Sequence, residues 1–250
     1  RTKKIDKMYE DSVLSNSDSV VVVANGMKQE FLDRNKSIDV IYNGYDISDI
    51  KNINKLHTDK FTMSYVGNFK PNQNIYNLWE GLEELVNENK IDINDLLIEF
   101  TGNVDAGTVD YIKTKKIKSQ LIINNFSSHD VAVSKMINSN LLIFVIPKSK
   151  TQKLIVTGKL FEYLASLSPM LSIGPIDGEA SHIINKVNRD KMSSYDDKEG
   201  IKKTIMRYYS LWKKNHNKFI HKKSDISNFS RFKLTGNLAK VLNKVYDEKN

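Results

Sequence analysis

Apolar positions come in short runs separated by stretches with helical spacing. Near-continuous apolar runs predict strands at 19–24, 38–44, 61–67, 96–102, 120–126, 141–147 and 169–174. Between them, apolar residues recurring every three or four positions predict helices at 26–35, 74–88, 106–116, 128–138, 158–166 and 178–187. Two longer amphipathic stretches, 198–215 and 231–248, close the chain. Strands this apolar, alternating with helices, predict an α/β fold with a Rossmann-like parallel sheet covered by helices on both faces. Right-handed crossovers then bring all strand C-termini to one edge, where ligands of such sheets bind. Gly67, Gly102 and Gly174 fall at that edge.

The pattern breaks at Asn43-Gly44 and stays polar to Lys60, so 45–60 reads as a linker between a first unit, 1–44, and a second, 61–250. No run approaches the about 18 apolar residues of a membrane-spanning helix. The basic start "RTKKIDKMYE" has no apolar stretch behind it, so it does not read as a signal peptide. The chain starts at Arg1, which is expected of a piece of a longer protein.

Composition changes this picture in two ways. The absence of cysteine excludes disulfides and thiolate metal sites, and fits a reducing cytoplasm. The net charge of +8 favours acidic partners, phosphate-bearing small molecules or an anionic membrane surface. Nucleic acid is not expected, because the lysines are scattered and no aromatic-interleaved, zinc-finger or helix-turn-helix pattern accompanies them. His57, His129, His182, His216 and His221 show no metal-binding spacing, so no metal is expected. Trp79, Tyr208 and Tyr209 lie in amphipathic stretches and read as packing residues.

The candidate chemistry lies in "TGKLFEYLAS" (157–166). On a helical wheel Leu160, Phe161, Leu164 and Leu167 share one sector. Lys159, Glu162, Tyr163 and Ser166 share the opposite one, with Thr157 placed to cap the N-terminus. Free N–H groups at a helix start suit phosphate, and Gly158 allows close approach. Lys159 in the first turn opposes the helix dipole, a conflict that a bound anion removes. Glu162, a turn deeper, could accept hydrogen bonds from the vicinal hydroxyls of a sugar. A surface Lys–Glu pair accounts for the same spacing.

In order and spacing, the segments resemble the C-terminal, donor-binding half of GT-B-fold retaining glycosyltransferases of the family 4 type. "SDSVVVVANGMKQEFL", "IDVIYNGYDISDI", "FTMSYVGNF", "GKLFEYLASLSPMLSIGPIDGEASHII" and "DISNFSRFKLTGNLAKVL" carry the resemblance, which covers nearly the whole chain. It implies transfer of a sugar from a nucleoside diphosphate to a saccharide or lipid-linked acceptor in bacterial cell-envelope or capsular polysaccharide synthesis. It further implies that Glu162 holds the ribose and that Gly67, Lys70, Gly158 and Lys159 hold the diphosphate. The base falls to Phe126 and Ser127, and Gly178, Glu179 and Ala180 belong to the donor loop. No cofactor is implied beyond the nucleotide sugar.

Two positions depart from the family pattern. Leu154 stands where many relatives carry a further glutamate, and Asn68 where many carry an arginine. Lys159, with Lys148 or Lys150, is expected to supply the missing charge. The family's N-terminal domain holds most of the acceptor site, so this chain alone is expected to be inactive. The expected location is cytoplasmic, peripheral to the inner membrane face. Alternative readings are a non-catalytic nucleotide-binding module and a GT-B-like sugar-nucleotide epimerase.

Overall fold

The computed structural model describes residues 2–50, 56, 58–125, 127–214 and 223–250. The chain opens with α1 (Thr2–Asn16), β1 (Val20–Val22), α2 (Asn25–Phe31) and β2 (Ile38–Val40). It continues with β3 (Phe61–Val66), α3 (Tyr76–Asn87), β4 (Leu96–Thr101), α4 (Ala106–Lys113), β5 (Leu121–Asn124) and α5 (His129–Asn138). Then follow β6 (Leu141–Val145), α6 (Gly158–Ser166), β7 (Met170–Ile173), α7 (Glu179–Lys186), α8 (Lys198–Lys213) and α9 (Arg231–Lys249).

The main sheet has five parallel strands in the order β5-β4-β3-β6-β7. The chain starts in the middle strand, builds outward one way, then returns to build the other way. Strand order therefore reverses between β3 and β6, and sheets of this kind bind ligands beyond the carboxyl ends of such a pair. Every residue of β3, β6 and β7 is buried, as expected of strands covered on both faces, while β5 at the edge is half-exposed. One core cluster packs α3 and α8 on the sheet around Trp79, Phe61 and Phe100. The other packs α5, α6 and α7 on the opposite face around Phe144, Phe161 and Ile184.

The expected strands and helices are present within a few residues, and one element was not expected. α1 has only Leu14 buried. Its apolar residues Ile5, Met8, Tyr9 and Val13 are exposed, although they recur at the helical spacing i, i+3, i+4, i+8. The apolar run at 19–24 forms only a short strand, because β1 pairs with β2 alone over Val20–Val22. The connector from Tyr45 is anchored at its start: Tyr45 is buried, and its N–H donates to the Phe229 carbonyl at 3.0 Å. None of the helices, among the described residues, is long and apolar enough to cross a membrane.

Candidate functional site

α6 begins directly above the carboxyl edge of the sheet, and its sequence explains how it sits. Leu160, Phe161 and Leu164 are buried in the core, as their common sector requires. The opposite sector is not open to solvent, however. Tyr163 is fully buried and accepts a hydrogen bond at its hydroxyl from the Val66 N–H at 2.8 Å. Ser166 is also buried, its hydroxyl donating to the Tyr163 carbonyl at 2.7 Å. This face of α6 is thus pressed against the end of β3, and Lys159 and Glu162 point to one cavity instead of bulk water.

That cavity has a volume of about 290 Å³. Val66 and Gly67 from the end of β3, and Thr101 and Gly102 from the end of β4, form one side. Ser127, with His129, Ala132 and Met136 of α5, forms another, and Lys159 and Glu162 complete it. Gly67 and Gly102 have φ of +115° and +117°, a region that side chains rarely adopt. A Cβ at Gly102 would lie 2.7 Å from the Gly67 carbonyl oxygen, so the two strand ends meet this closely only with glycine at 102.

Thr157 does not cap α6 with its side chain, contrary to the sequence expectation. Its hydroxyl oxygen is buried without a hydrogen-bond partner among the described residues, as is that of Thr101. The helix start therefore keeps first-turn N–H groups that no side chain satisfies. A Cβ at Gly158 would meet open space, which leaves the approach to those groups clear.

Lys159 is half-buried, with Nζ 3.7 Å from the centroid of the Tyr65 ring. No carboxylate or carbonyl accepts a hydrogen bond from it among the described residues. Burial pushes its pKa down to about 7, and the Glu162 charge opposes this only in part. The ring face returns about 0.5–2 kcal/mol to the ammonium form. That offsets only part of the shift, so the amine still titrates well below an ordinary lysine.

His129, singled out in the sequence only for lacking a metal-binding spacing, joins the site. Its Nε2 lies 2.9 Å from Oδ2 of Asp49, and this hydrogen bond raises the imidazole pKa, with Glu162 and Asp130 adding to it. The clue was its place, directly after the loop that the resemblance set against the base.

The remaining candidates divide. Ser127, Gly67, Lys159 and Glu162 line the cavity, Gly158 is the first residue of α6 but is not among the lining residues, and Phe126 lies outside the described residues. Lys70 is exposed and does not line the cavity. Lys148 instead lies over the Tyr195 ring at 5.1 Å, and Lys150 is exposed. Gly178, Glu179 and Ala180 stand apart from this cavity. Glu179 instead ties α7 to the segment before β3: its Oε1 accepts from Asn25 Nδ2 at 2.6 Å and from the Tyr42 hydroxyl at 2.8 Å. Leu154 also packs toward that segment, against Gly26 of α2. Among the described residues no group of three or more His, Asp or Glu could hold a metal ion.

No family model and no curated protein matches the chain. Solved structures do share its fold. One is a point mutant of S. aureus TarM in complex with fondaparinux, alpha-GlcNAc-glycerol and UDP, 13% identical with a TM-score of 0.64 over 94% of this chain and 46% of TarM. A second is the pneumococcal O-GlcNAc transferase GtfA in complex with UDP and GlcNAc, 14% identical, TM-score 0.64, covering 95% of this chain and 48% of that one. A third is the apo form of the lipopolysaccharide outer core galactosyltransferase WaaB, 18% identical, TM-score 0.62, covering 94% and 63%. The chain thus spans less than two thirds of these proteins' lengths, and its architecture is one Rossmann-like half of the GT-B fold.

Proposed function

We propose that this chain is the donor-binding half of a glycosyltransferase, which moves a sugar from a nucleoside diphosphate to an acceptor in cell-envelope or capsular polysaccharide synthesis. One observation carries the reading. Lys159 and Glu162 of α6 and the two glycine strand ends, Gly67 and Gly102, line a single cavity at the carboxyl edge of the sheet. In this reading the first-turn amides of α6 and the Lys159 amine hold the diphosphate. Glu162, whose carboxylate accepts no hydrogen bond from a described residue, takes the ribose hydroxyls. Ser127 and His129 stand where the base enters.

During transfer the glycosidic bond to the diphosphate breaks and negative charge gathers on the leaving oxygen. Donors already aimed at that position stabilise the charge without reorganising. TarM and GtfA were each solved with UDP, and the saccharides present in those complexes support a saccharide acceptor here. A peripheral membrane position belongs to the same reading, since a lipid-linked acceptor would sit there.

Calorimetric titration with UDP and with GDP tests the reading. At least one of them is expected to bind saturably, and Lys159→Ala is expected to weaken that binding. A flat titration with both nucleotides at millimolar concentration contradicts it.

A further inference from the structure

We propose that Tyr65 is a positioning residue of the donor site: its ring seats the charged Lys159 amine at the cavity and holds it apart from Glu162. The proposal rests on the donor-binding reading and adds to it what keeps the cation available to a diphosphate.

Lys159 is the sole lysine or arginine among the described residues that line the cavity. Its Nζ lies 3.7 Å from the centroid of the Tyr65 ring. The bare Gly67 makes room beside it, since a Cβ there would come within 2.8 Å of the nitrogen. Glu162 lines the same cavity, three residues on along the same helix. At that spacing a lysine and a glutamate can pair. Here the carboxylate acts on the amine through its field, and no ion pair joins the two among the described residues.

The ring is fixed by the protein around it. Tyr65 is buried, and its ring meets that of Phe69 in a T-shaped contact with centroids 4.7 Å apart. Its hydroxyl donates to the Asn68 carbonyl at 3.0 Å and accepts from Gln73 Nε2 at 3.2 Å. Gln73 is buried as well, and its Nε2 also donates to the Val145 carbonyl at 2.8 Å. The seat is thereby tied to the ends of both β3 and β6, the strands between which the order reverses.

What holds the amine decides what a ligand meets. A carboxylate in contact with Nζ would cancel its charge and occupy its N–H groups, and an incoming phosphate would have to displace it. An aromatic face attracts an ammonium while leaving its charge in place. It also orders a long side chain whose immobilisation would otherwise count against binding. Lys159 and Glu162 thus stay separately available, the one to the diphosphate and the other to the ribose.

The test is a double-mutant cycle read by calorimetric titration with UDP and GDP. At about pH 6.5 the ammonium is the major form, because burial lowers the amine only to about 7. Tyr65→Leu is expected to weaken binding about tenfold, the effect of losing a partly desolvated cation–π contact. Tyr65→Phe, which keeps the ring, is expected to recover affinity to within about twofold of the parent protein. In a Lys159→Met background, Tyr65→Leu is expected to cost no further affinity. An equal loss in both backgrounds would make Tyr65 a purely structural residue and overturn the proposal while leaving the donor-binding reading in place. Parent-like binding by Tyr65→Leu would do the same. Should Tyr65→Leu not fold or Lys159→Met not bind, ring fluorination of the Tyr65→Phe protein keeps the shape and drains the face of charge. Affinity is then expected to fall with each added fluorine, and a flat series would overturn the proposal. Absence of binding by both nucleotides in the parent protein would remove both the proposal and the reading beneath it.

Discussion

Glu162→Ala is expected to weaken UDP or GDP binding about 10- to 150-fold. The range follows from removing a charged acceptor that the ribose hydroxyls would otherwise use, an interaction worth about 1.5–3 kcal/mol. The folded state gives up little in exchange. Glu162 is half-buried, accepts no hydrogen bond from a described residue, and lies on the cavity side of α6, not among the core residues Leu160, Phe161 and Leu164. The thermal midpoint should therefore stay close to that of the parent protein while affinity drops. Calorimetry paired with a melting curve separates the two effects. Unchanged affinity would place the ribose elsewhere, and a collapse in stability would make Glu162 a structural residue.

The largest effect on folding is expected from Trp79→Ala, at about 3–5 kcal/mol. That is a large part of the about 5–15 kcal/mol that separates a folded domain from its unfolded chain. Trp79 is fully buried in the cluster that joins α3 and α8 to the sheet. Its ring lies 6.1 Å from that of Phe100, and its Nε1 donates to Asn74 Oδ1 at 2.9 Å. Asn74 belongs to the loop that follows β3, so the substitution also removes a support near the carboxyl edge of the sheet. Denaturant unfolding measures the loss directly, and a change below about 1 kcal/mol would mean that α3 does not pack as described.

The sheet was legible because β3, β4, β6 and β7 are buried enough to spell themselves as apolar runs, with glycines at the ends of three of them. α1 was legible too, in the i, i+3, i+4, i+8 spacing of Ile5, Met8, Tyr9 and Val13, but the basic start "RTKKIDKMYE" was weighed only as a signal peptide. Within the site, Lys159, Glu162 and Gly158 could be placed from helical spacing alone. Spacing gives an angle about the helix axis, not what that angle faces. Tyr163 and Ser166 share the polar sector, yet both are buried, Tyr163 against the end of β3, and this turns Lys159 from a surface cation into a half-buried amine of lowered pKa. The same limit hid the fate of Glu179. Its position at a helix start fits an anion or a ligand contact, but its partners Asn25 and Tyr42 come from more than a hundred residues earlier in the chain. His129 and Thr101 entered the cavity by tertiary placement, with only the neighbouring strand ends as a signal.

The central claim is that a nucleoside diphosphate binds at the carboxyl edge, between α6 and the ends of β3 and β4. Titrating the isotopically labelled protein with UDP or GDP while following backbone amide signals tests it most directly. The account predicts saturable shifts concentrated at Gly67, Gly102, Ser127, Gly158 and Lys159, weakened together in Glu162→Ala. Shifts that saturate at another surface, or none at millimolar nucleotide, would contradict it.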